Sequence, residues 1–398
     1  MSVEILNDAI DSVLESRLAF CKFLSANDTG ATGGHQSGIL VSKSAKDILF
    51  YESLDISPIM KRNVQIHWMD DIVTDSVFTY YKSKNELRIT KFGRGFPYLK
   101  PDETGSLFVL TLRDDDYYSA FVINTEYEIN QFLSTFDISP VQTNALIEQH
   151  HLLPEFEEAK AITAFVGTLK EEFPSSKEMS RAARSIQNAV YDQIDLIISN
   201  PDQKIIDWTN MEYTLFRTLE QVRYGGIVSA GFDNMDAFVE MANRVLNRRK
   251  SRAGKSLENH LEAIFDGNNI EYTSQAITEG NKKPDFLFPS ETAYHDFAFP
   301  TENLVSLAAK TTCKDRWRQI LNEADRLKNG AKYLCTLQQG ISPAQMDEMQ
   351  TEKVILVVPE PLIKTYPKDR QDRIWTLKKF VDFVKEIESL RRRFLWMY

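Results

Sequence analysis

The segment Pro284–Glu323, PDFLFPSETAYHDFAFPTENLVSLAAKTTCKDRWRQILNE, decides how the C-terminal half of the chain is interpreted. Asp285 begins a short apolar run that predicts a β-strand, and Lys310 stands near the end of a longer one, Leu304–Thr312. A lysine in a buried strand needs a partner or a function. Glu323 lies on the predicted helix that follows. Carboxylates and a lysine on consecutive elements are typical of sites that hold a divalent cation against a phosphodiester.

The elements around this segment predict α/β layers around a mixed central sheet. Helices are predicted over Lys255–Phe265, Asp315–Lys328 and Leu377–Arg392, and strands over Ile270–Ile277, Pro284–Phe288, Leu304–Thr312, Tyr333–Leu337 and Val354–Val358. Glu258 and Glu262 share one face of the first helix, so that helix can add a carboxylate to the site.

The first 150 or so residues predict a mainly β domain, a small barrel or sandwich. Short apolar runs recur at roughly ten-residue spacing with turn residues between them. Strands are predicted over Ile39–Val41, Ile48–Tyr51, Val64–Trp68, Val77–Tyr81, Glu86–Thr90, Leu107–Leu112 and Ala120–Asn124, after a helix over Ile5–Leu24. The predicted organisation is an N-terminal domain 1–160, a structured connector 161–178 and a C-terminal domain 179–398.

Composition bounds the function. The chain has 398 residues, a net charge of −10 and three widely spaced cysteines, which indicates a reducing compartment and no structural zinc site. Without a long apolar run or a secretory signal, we expect a cytoplasmic protein that does not cross a membrane. The acidic total counts against nucleic-acid binding, but basic residues concentrate locally, in Lys82–Arg94, Arg244–Lys255 and Lys310–Arg318.

Each candidate residue also has an ordinary structural interpretation. Most Pro-Asp pairs are turns, and Glu323 alone is typical of a solvated helix position. Asp315 fits a helix N-cap, and Lys84–Arg94 fits a solvated edge strand. The combination of Asp285, Lys310 and Glu323 at this spacing is what favours phosphodiester chemistry.

Four stretches resemble type II restriction endonucleases of the EcoRII kind: Ser25–Gln36, Asn247–Glu258, Gln275–Pro289 and Lys310–Ala324. The resemblance implies a PD-(D/E)XK nuclease fold in the C-terminal half. It also implies a pseudobarrel like that of plant B3 domains in the N-terminal half, which would bind a second copy of the recognition site as effector.

The resemblance also implies an active site. Glu258, Asp285, Lys310 and Glu323 would be catalytic, with Tyr294 in support. Alanines stand at positions 308 and 309, where this fold usually places an acidic residue, and Glu323 supplies the carboxylate instead. Asp285 and Glu323 would bind Mg²⁺, and Lys310 would orient or activate the attacking water.

Contacts with DNA are implied in both halves. Lys314, Asp315 and Arg316 would read CC/GG base pairs, since Arg and Lys donate to guanine and a carboxylate accepts from cytosine. Trp208 and Tyr213 would lie near an extruded base pair. The effector-site candidates of the N-terminal half are His35, Lys84, Glu86, Arg88, Lys91 and Arg94.

The sequence therefore predicts a homodimeric, Mg²⁺-dependent, sequence-specific DNA endonuclease of a restriction-modification system. The resemblance alone implies a CCWGG-like target, cut before the first cytosine to leave 5′ overhangs, and autoinhibition that a second recognition site relieves. Two alternatives stay open: a DNA-binding regulator whose nuclease site has decayed, and a repair-type nuclease that acts on mismatches or DNA structure.

Overall fold

The structure is a computed structural model that describes residues 2–32, 38–54, 57–113, 116–147 and 156–395. The chain divides into two compact units. Unit 1 comprises residues 1–151, 338–348 and 362–372, and unit 2 comprises 152–337, 349–361 and 373–398. The two later segments of unit 1 belong to the C-terminal domain of the division predicted from the sequence. The functional division at residues 160 and 178 stays a prediction.

Unit 1 is built on an eight-stranded sheet with the order β2-β5-β4-β3-β7-β6-β1-β8. Its strands are β1 (Leu18–Phe23), β2 (Ile39–Val41), β3 (Ile59–Trp68), β4 (Val73–Tyr81), β5 (Glu86–Thr90), β6 (Leu107–Leu112), β7 (Tyr118–Ile123) and β8 (Ala145–Leu146). Neighbouring strands are antiparallel except β3 and β7, which are parallel. Three helices accompany the sheet: α1 (Ser2–Glu15), α2 (Lys46–Leu49) and α3 (Glu126–Thr135).

Both faces of the central strands are buried, because their side chains alternate between two cores. On β6, Phe108 and Leu110 pack into one core, while Leu107 and Val109 pack into the other with residues of α1 and α3. This burial explains the near-continuous apolar sequence of β6, all six residues of which are buried.

Two predicted elements of unit 1 were wrong. The helix expected over Ile5–Leu24 ends at Glu15, and β1 follows it, because the apolar run that starts at Leu18 pairs with β6 and β8. The strand expected over Ile48–Tyr51 is instead helical at Ile48 and Leu49, both of which are buried in the core.

Unit 2 packs helices around a five-stranded sheet with the order β13-β12-β11-β10-β9. The strands are β9 (Thr273–Ser274), β10 (Phe286–Phe288), β11 (Val305–Lys310), β12 (Lys332–Thr336) and β13 (Val354–Val357). β11, β12 and β13 run parallel, and β9 and β10 are antiparallel additions, so the sheet is mixed as predicted.

The helices of this half of the chain are α4 (Phe156–Thr168), α5 (Ser176–Tyr191), α6 (Leu196–Ser199), α7 (Pro201–Ala230), α8 (Met235–Gly267), α9 (Glu291–His295), α10 (Pro343–Thr351), α11 (Glu360–Ile363) and α12 (Leu377–Leu395). Phe265 of α8 packs edge-on against Phe286 and Phe288 of β10, which fixes α8 on the sheet. Among the described residues, no helix is both long and apolar enough to cross a membrane.

A buried polar group joins α7 to α8. Glu212 and His260 are fully buried, and their side chains lie 3.0 Å apart. Arg184 of α5 lies 3.2 Å from the other ring nitrogen of His260. Burial, above all, lowers the pKa of His260, so the ring is neutral and its two nitrogens face a cation and an anion. This arrangement fixes the rotation of α8 about its axis.

The far end of the α7–α8 hairpin, residues 221–251, is mostly exposed and carries large apolar side chains. They are Val222, Ile227, Val228, Met235, Phe238 and Val239, each between 44% and 71% exposed. Asp233, Asp236 and Glu240 lie at the tip, and the segment Arg244–Lys250 farther along α8 is basic. The arginines of that segment pair with glutamates of the same chain, Arg244 with Glu240, Arg248 with Glu172 and Arg249 with Glu220, so exposed apolar surface is what distinguishes the hairpin end.

Candidate active site

The pairing of β10 with β11 brings Asp285 to Lys310. Phe286 pairs with Leu307 in the antiparallel register, so Asp285, one residue earlier, faces the end of β11. Its Oδ2 atom accepts a hydrogen bond of 2.8 Å from the Ala309 N–H and one of 3.0 Å from Lys310 Nζ. The carboxylate is buried and the ammonium is 24% exposed, so Lys310 is accessible while its partner is held in place. The lysine that ends an apolar strand thus has the charged partner that its position requires.

Glu258 approaches from α8. Lys255, one turn earlier, donates to both of its carboxylate oxygens, at 2.8 and 3.1 Å. Burial raises the pKa of Glu258, and the negative charge of Asp285 adds to that effect. One nitrogen, Gln275 Nε2, lies 3.2 Å from Glu258 Oε2 and 3.0 Å from Asp285 Oδ1. The two carboxylates therefore share a hydrogen-bond donor.

Glu323 completes the group, although its local structure differs from the predicted one. The helix expected over Asp315–Lys328 is two 3₁₀ segments, Arg316–Asn322 and Asp325–Leu327, and Glu323 is the C-cap of the first. The pKa of Glu323 is raised to about 7, chiefly by burial. The positive charge of Lys310 opposes this shift, and the negative charge of Asp285 adds to it. The charges of Lys310 and Asp285 therefore act on the Glu323 carboxyl group, and the backbone carbonyl of Glu323 accepts a hydrogen bond from the Thr278 hydroxyl.

These side chains fit a divalent cation held by few protein ligands. Among the residues that the structure describes, no cluster of three or more His, Cys, Asp or Glu side chains is arranged to hold a metal. Mg²⁺ often takes one or two carboxylates and keeps its waters. The raised pKa of Glu323 marks a carboxylate whose negative charge is incompletely balanced, and a cation beside Asp285 would balance it.

Tyr294 takes a different place. It is buried on α9, and its hydroxyl donates to Glu279 Oε2 at 2.6 Å. The Tyr294 hydroxyl oxygen accepts from the Arg326 N–H at 3.1 Å, and Glu279 Oε2 also accepts from the Asp325 N–H at 3.2 Å. Tyr294 thus anchors the backbone that follows Glu323, and its catalytic role stays a prediction.

The residues expected to read base pairs differ in exposure. Asp315 and Arg316 are exposed, whereas Lys314 is buried. Asp315 is the N-cap of the 3₁₀ helix, but its side chain makes no capping hydrogen bond to it. Capping of this helix by the side chain therefore does not explain the aspartate at position 315.

Trp208 and Tyr213 are buried in the helical core of unit 2. Trp208 Nε1 donates to Asn188 at 3.1 Å, and the Arg252 guanidinium lies 3.8 Å from the centre of the Tyr213 ring. Contact with an extruded base would require these side chains to become accessible, and it stays a prediction.

The effector-site candidates lie along β5 and the turns beside it. Lys84, Lys91 and Arg94 are exposed. Arg88 and Glu86 bond to each other, with Arg88 NH2 2.9 Å from Glu86 Oε2. His35 lies outside the described residues.

Two residues of the site were not found from the sequence. Lys255 had a visible signal, since it stands three positions before Glu258 on one helix. Gln275 had none, because its position depends on the backbone conformation at the end of β9.

Comparison with known proteins identifies the family of this chain. Residues 216–381 match the family described as "EcoRII C terminal", and residues 14–147 match "Restriction endonuclease EcoRII, N-terminal". The type II restriction enzyme EcoRII of Escherichia coli is 38% identical over 398 aligned positions, which cover 94% of this chain and 96% of that enzyme. The type II restriction enzyme SsoII of Shigella sonnei is 26% identical over 153 positions, 36% of this chain and 48% of that enzyme.

Solved structures of two restriction endonucleases in complex with DNA are similar in part. Ecl18kI aligns with a TM-score of 0.45 and 22% identity, over 60% of this chain and 85% of its own. PspGI aligns with a TM-score of 0.44 and 16% identity, over 55% and 95%. The matches to both EcoRII domains and to the full-length enzyme confirm the predicted family, and with the two sheets they confirm the predicted fold class. This chain belongs to the EcoRII family of type II restriction enzymes and is a site-specific deoxyribonuclease.

Proposed function

We propose that the enzyme is a Mg²⁺-dependent homodimer that hydrolyses double-stranded DNA at a CCWGG-like site, before the first cytosine, and leaves 5′ overhangs. It acts in the cytoplasm, and a second recognition site bound by the N-terminal half activates it. The observation that carries the chemical part of the proposal is the 3.0 Å contact between Lys310 Nζ and Asp285, with Glu258 linked to Asp285 through a shared hydrogen-bond donor.

Each residue of the site has a distinct role in this proposal. Asp285 and Glu323 hold the cation, and Glu258 contributes through further water molecules. Bound Mg²⁺ would supply positive charge at the phosphate and lower the pKa of an attacking water. Lys310 orients that water and stabilises charge on the phosphate. Asp285 can serve because the Ala309 N–H fixes its orientation.

Sequence recognition is assigned to the segment directly after Lys310. Arg316 is exposed and can donate to guanine, and the exposed carboxylate of Asp315 can accept from cytosine N4. Lys314 is buried, so its part in recognition requires a local rearrangement on binding. Lys84, Glu86, Arg88, Lys91 and Arg94 are the effector-site candidates within the described residues.

The exposed end of the α7–α8 hairpin supports the homodimer. Large exposed apolar patches mark interaction surfaces, and the exposed apolar side chains there are Val222, Ile227, Val228, Met235, Phe238 and Val239. A two-fold dimer also suits a palindromic site.

Replacing Lys310 by Ala tests the hydrolytic assignment. We expect Mg²⁺-dependent cleavage of plasmid DNA to fall by at least about a hundredfold, as for loss of a group that stabilises charge at the reaction centre. Lys328→Ala, which removes an exposed lysine beyond the site, is the control and should cut like the parent. Equal cutting by Lys310→Ala and the parent would refute the assignment.

The two alternatives give different outcomes in the same assay. A DNA-binding regulator would shift DNA in a gel but leave it intact with Mg²⁺. A repair-type nuclease would produce a smear from unmethylated genomic DNA, whereas a site-specific enzyme produces discrete bands. Mapping the ends on one sequenced plasmid identifies the recognition sequence and the overhang.

A further inference from the structure

Gln275 is joined to Asp285 through backbone and side chain. Its backbone N–H donates to the Asp285 carbonyl at 3.1 Å, and its side-chain nitrogen donates to Asp285 Oδ1 at 3.0 Å. The same nitrogen lies 3.2 Å from Glu258 Oε2. An amide nitrogen carries two hydrogens, so one side chain can serve both carboxylates at once.

The backbone at Gln275 explains how the amide reaches this place. Its φ is 53°, in the left-handed region that residues other than glycine rarely adopt. This conformation ends β9 directly after Ser274, which pairs with Phe286. Conformations of this kind persist where the surrounding contacts hold them, and they concentrate at functional sites. Here the holding contacts are the three hydrogen bonds to Asp285 and Glu258.

The Gln275 amide joins the two carboxylates, whereas each of the two lysines bonds to one of them. Lys255 neutralises Glu258 and Lys310 neutralises Asp285, but each lysine bonds to its own carboxylate. Gln275 is the donor that both carboxylates share, so it keeps one oxygen of each within one hydrogen-bond length of the same nitrogen atom. It does so without adding charge, which leaves the site attractive to a cation.

We propose that Gln275 is a positioning residue that holds the carboxylates of Glu258 and Asp285 in one cation site. The inference rests on the proposed function, in which a divalent cation binds beside Asp285. Gln275 touches Asp285, which would bind the cation, and Glu258, which contributes through water molecules, and it acts through these two carboxylates.

Two substitutions in the full-length protein separate the effect of hydrogen-bond donation by Gln275 from the effects of its side-chain size and charge. Gln275→Met keeps the length of the side chain and removes its hydrogen-bond donors. Gln275→Glu keeps the shape and adds a third carboxylate. Titration calorimetry with Mn²⁺ alone, without DNA, measures cation binding directly, and thermal unfolding in EDTA reports whether each variant is folded.

We expect Gln275→Met to raise the Kd for Mn²⁺ about tenfold, the usual effect of removing a group that orients metal ligands. Gln275→Glu should lower that Kd, and the Mg²⁺ concentration that half-saturates cleavage should move with it in both variants. DNA affinity measured without metal should be unchanged in Gln275→Met. A Kd for Mn²⁺ in Gln275→Met equal to that of the parent, with both proteins folded, would overturn the inference.

The failure of this inference is distinguishable from that of the proposed function. If Lys310→Ala abolishes cleavage while Gln275→Met binds Mn²⁺ like the parent, the hydrolytic assignment stands and the role of Gln275 falls. If Lys310→Ala cuts normally, the proposed function falls, and the Mn²⁺ titration still decides whether Gln275 positions the two carboxylates.

Discussion

At the scale of single residues, the burial of Glu323 makes the stability of the metal-free protein depend on pH. Its pKa of about 7 in the folded protein lies above the ordinary glutamate value of 4.5, with burial as the first cause. Between those two values the folded state binds more protons than the unfolded chain. Because stability falls with rising pH wherever the folded state binds more protons, Glu323 destabilises the metal-free protein progressively as pH rises through this window.

Glu323→Gln should remove that pH dependence. We expect the variant to be more stable than the parent in EDTA, by about 2 kcal/mol more at pH 8 than at pH 5, since one pKa unit corresponds to about 1.4 kcal/mol. Urea unfolding at the two pH values measures the difference. A gain of equal size at both would show that the pKa of Glu323 is not raised in the folded protein.

How well single residues were predicted depended on whether their neighbours in sequence define their surroundings. Lys310 was identifiable because the apolar residues before it make a solvated lysine improbable. Gln275 was not, since its amide reaches the two carboxylates only through the left-handed backbone at the end of β9. The burial of Trp208 and Tyr213 depends on the packing of α5, α7 and α8, which no local pattern specifies.

At the scale of elements, substitutions in the exposed end of the α7–α8 hairpin test the proposed homodimer. Phe238→Glu places a charge in the apolar surface and should convert the dimer to monomer, seen as a lower sedimentation coefficient. Gln350→Glu adds the same charge at an exposed position of α10, outside residues 221–251, and is the control, expected to stay dimeric. Equal sedimentation of Phe238→Glu and the parent would exclude this surface as the interface.

Elements were predicted best where turn residues delimit them in the sequence. β2, β5 and β6 have the predicted bounds, whereas β9 covers only two residues of the strand expected over Ile270–Ile277. β6 is buried on both faces, but Gly105 precedes it and marks where it begins. No glycine or proline separates Leu18–Phe23 from the helix before it, and a strand buried on both faces lacks the alternation that distinguishes a strand from a helix.

At the scale of the whole molecule, the contribution of the C-terminal sequence to unit 1 limits how autoinhibition can be tested. Ile341 and Tyr366 are buried in residues assigned to unit 1. Deleting residues 1–151 would expose them, so raised cutting by such a fragment could also reflect altered folding. Substitutions in the full-length chain avoid this.

Lys91→Glu with Arg94→Glu should therefore abolish activation by a second site. The parent should cut single-site DNA several-fold faster when a short duplex carrying the recognition sequence is added, and the double variant should not respond. Lys100→Glu, at another exposed lysine, is the control and should respond like the parent. An unchanged response in the double variant would place the effector site elsewhere.

The 33-residue helix α8 carries both the apolar end of the hairpin and Glu258. At about 1.5 Å per residue it is roughly 50 Å long, and His260, which contacts Glu212, lies near Glu258. Because the helix is continuous, the rotational orientations of its two ends are coupled. One residue inserted between them would turn the distal end by about 100° relative to Glu258, so the direction of the exposed apolar surface and that of the Glu258 carboxylate cannot change independently.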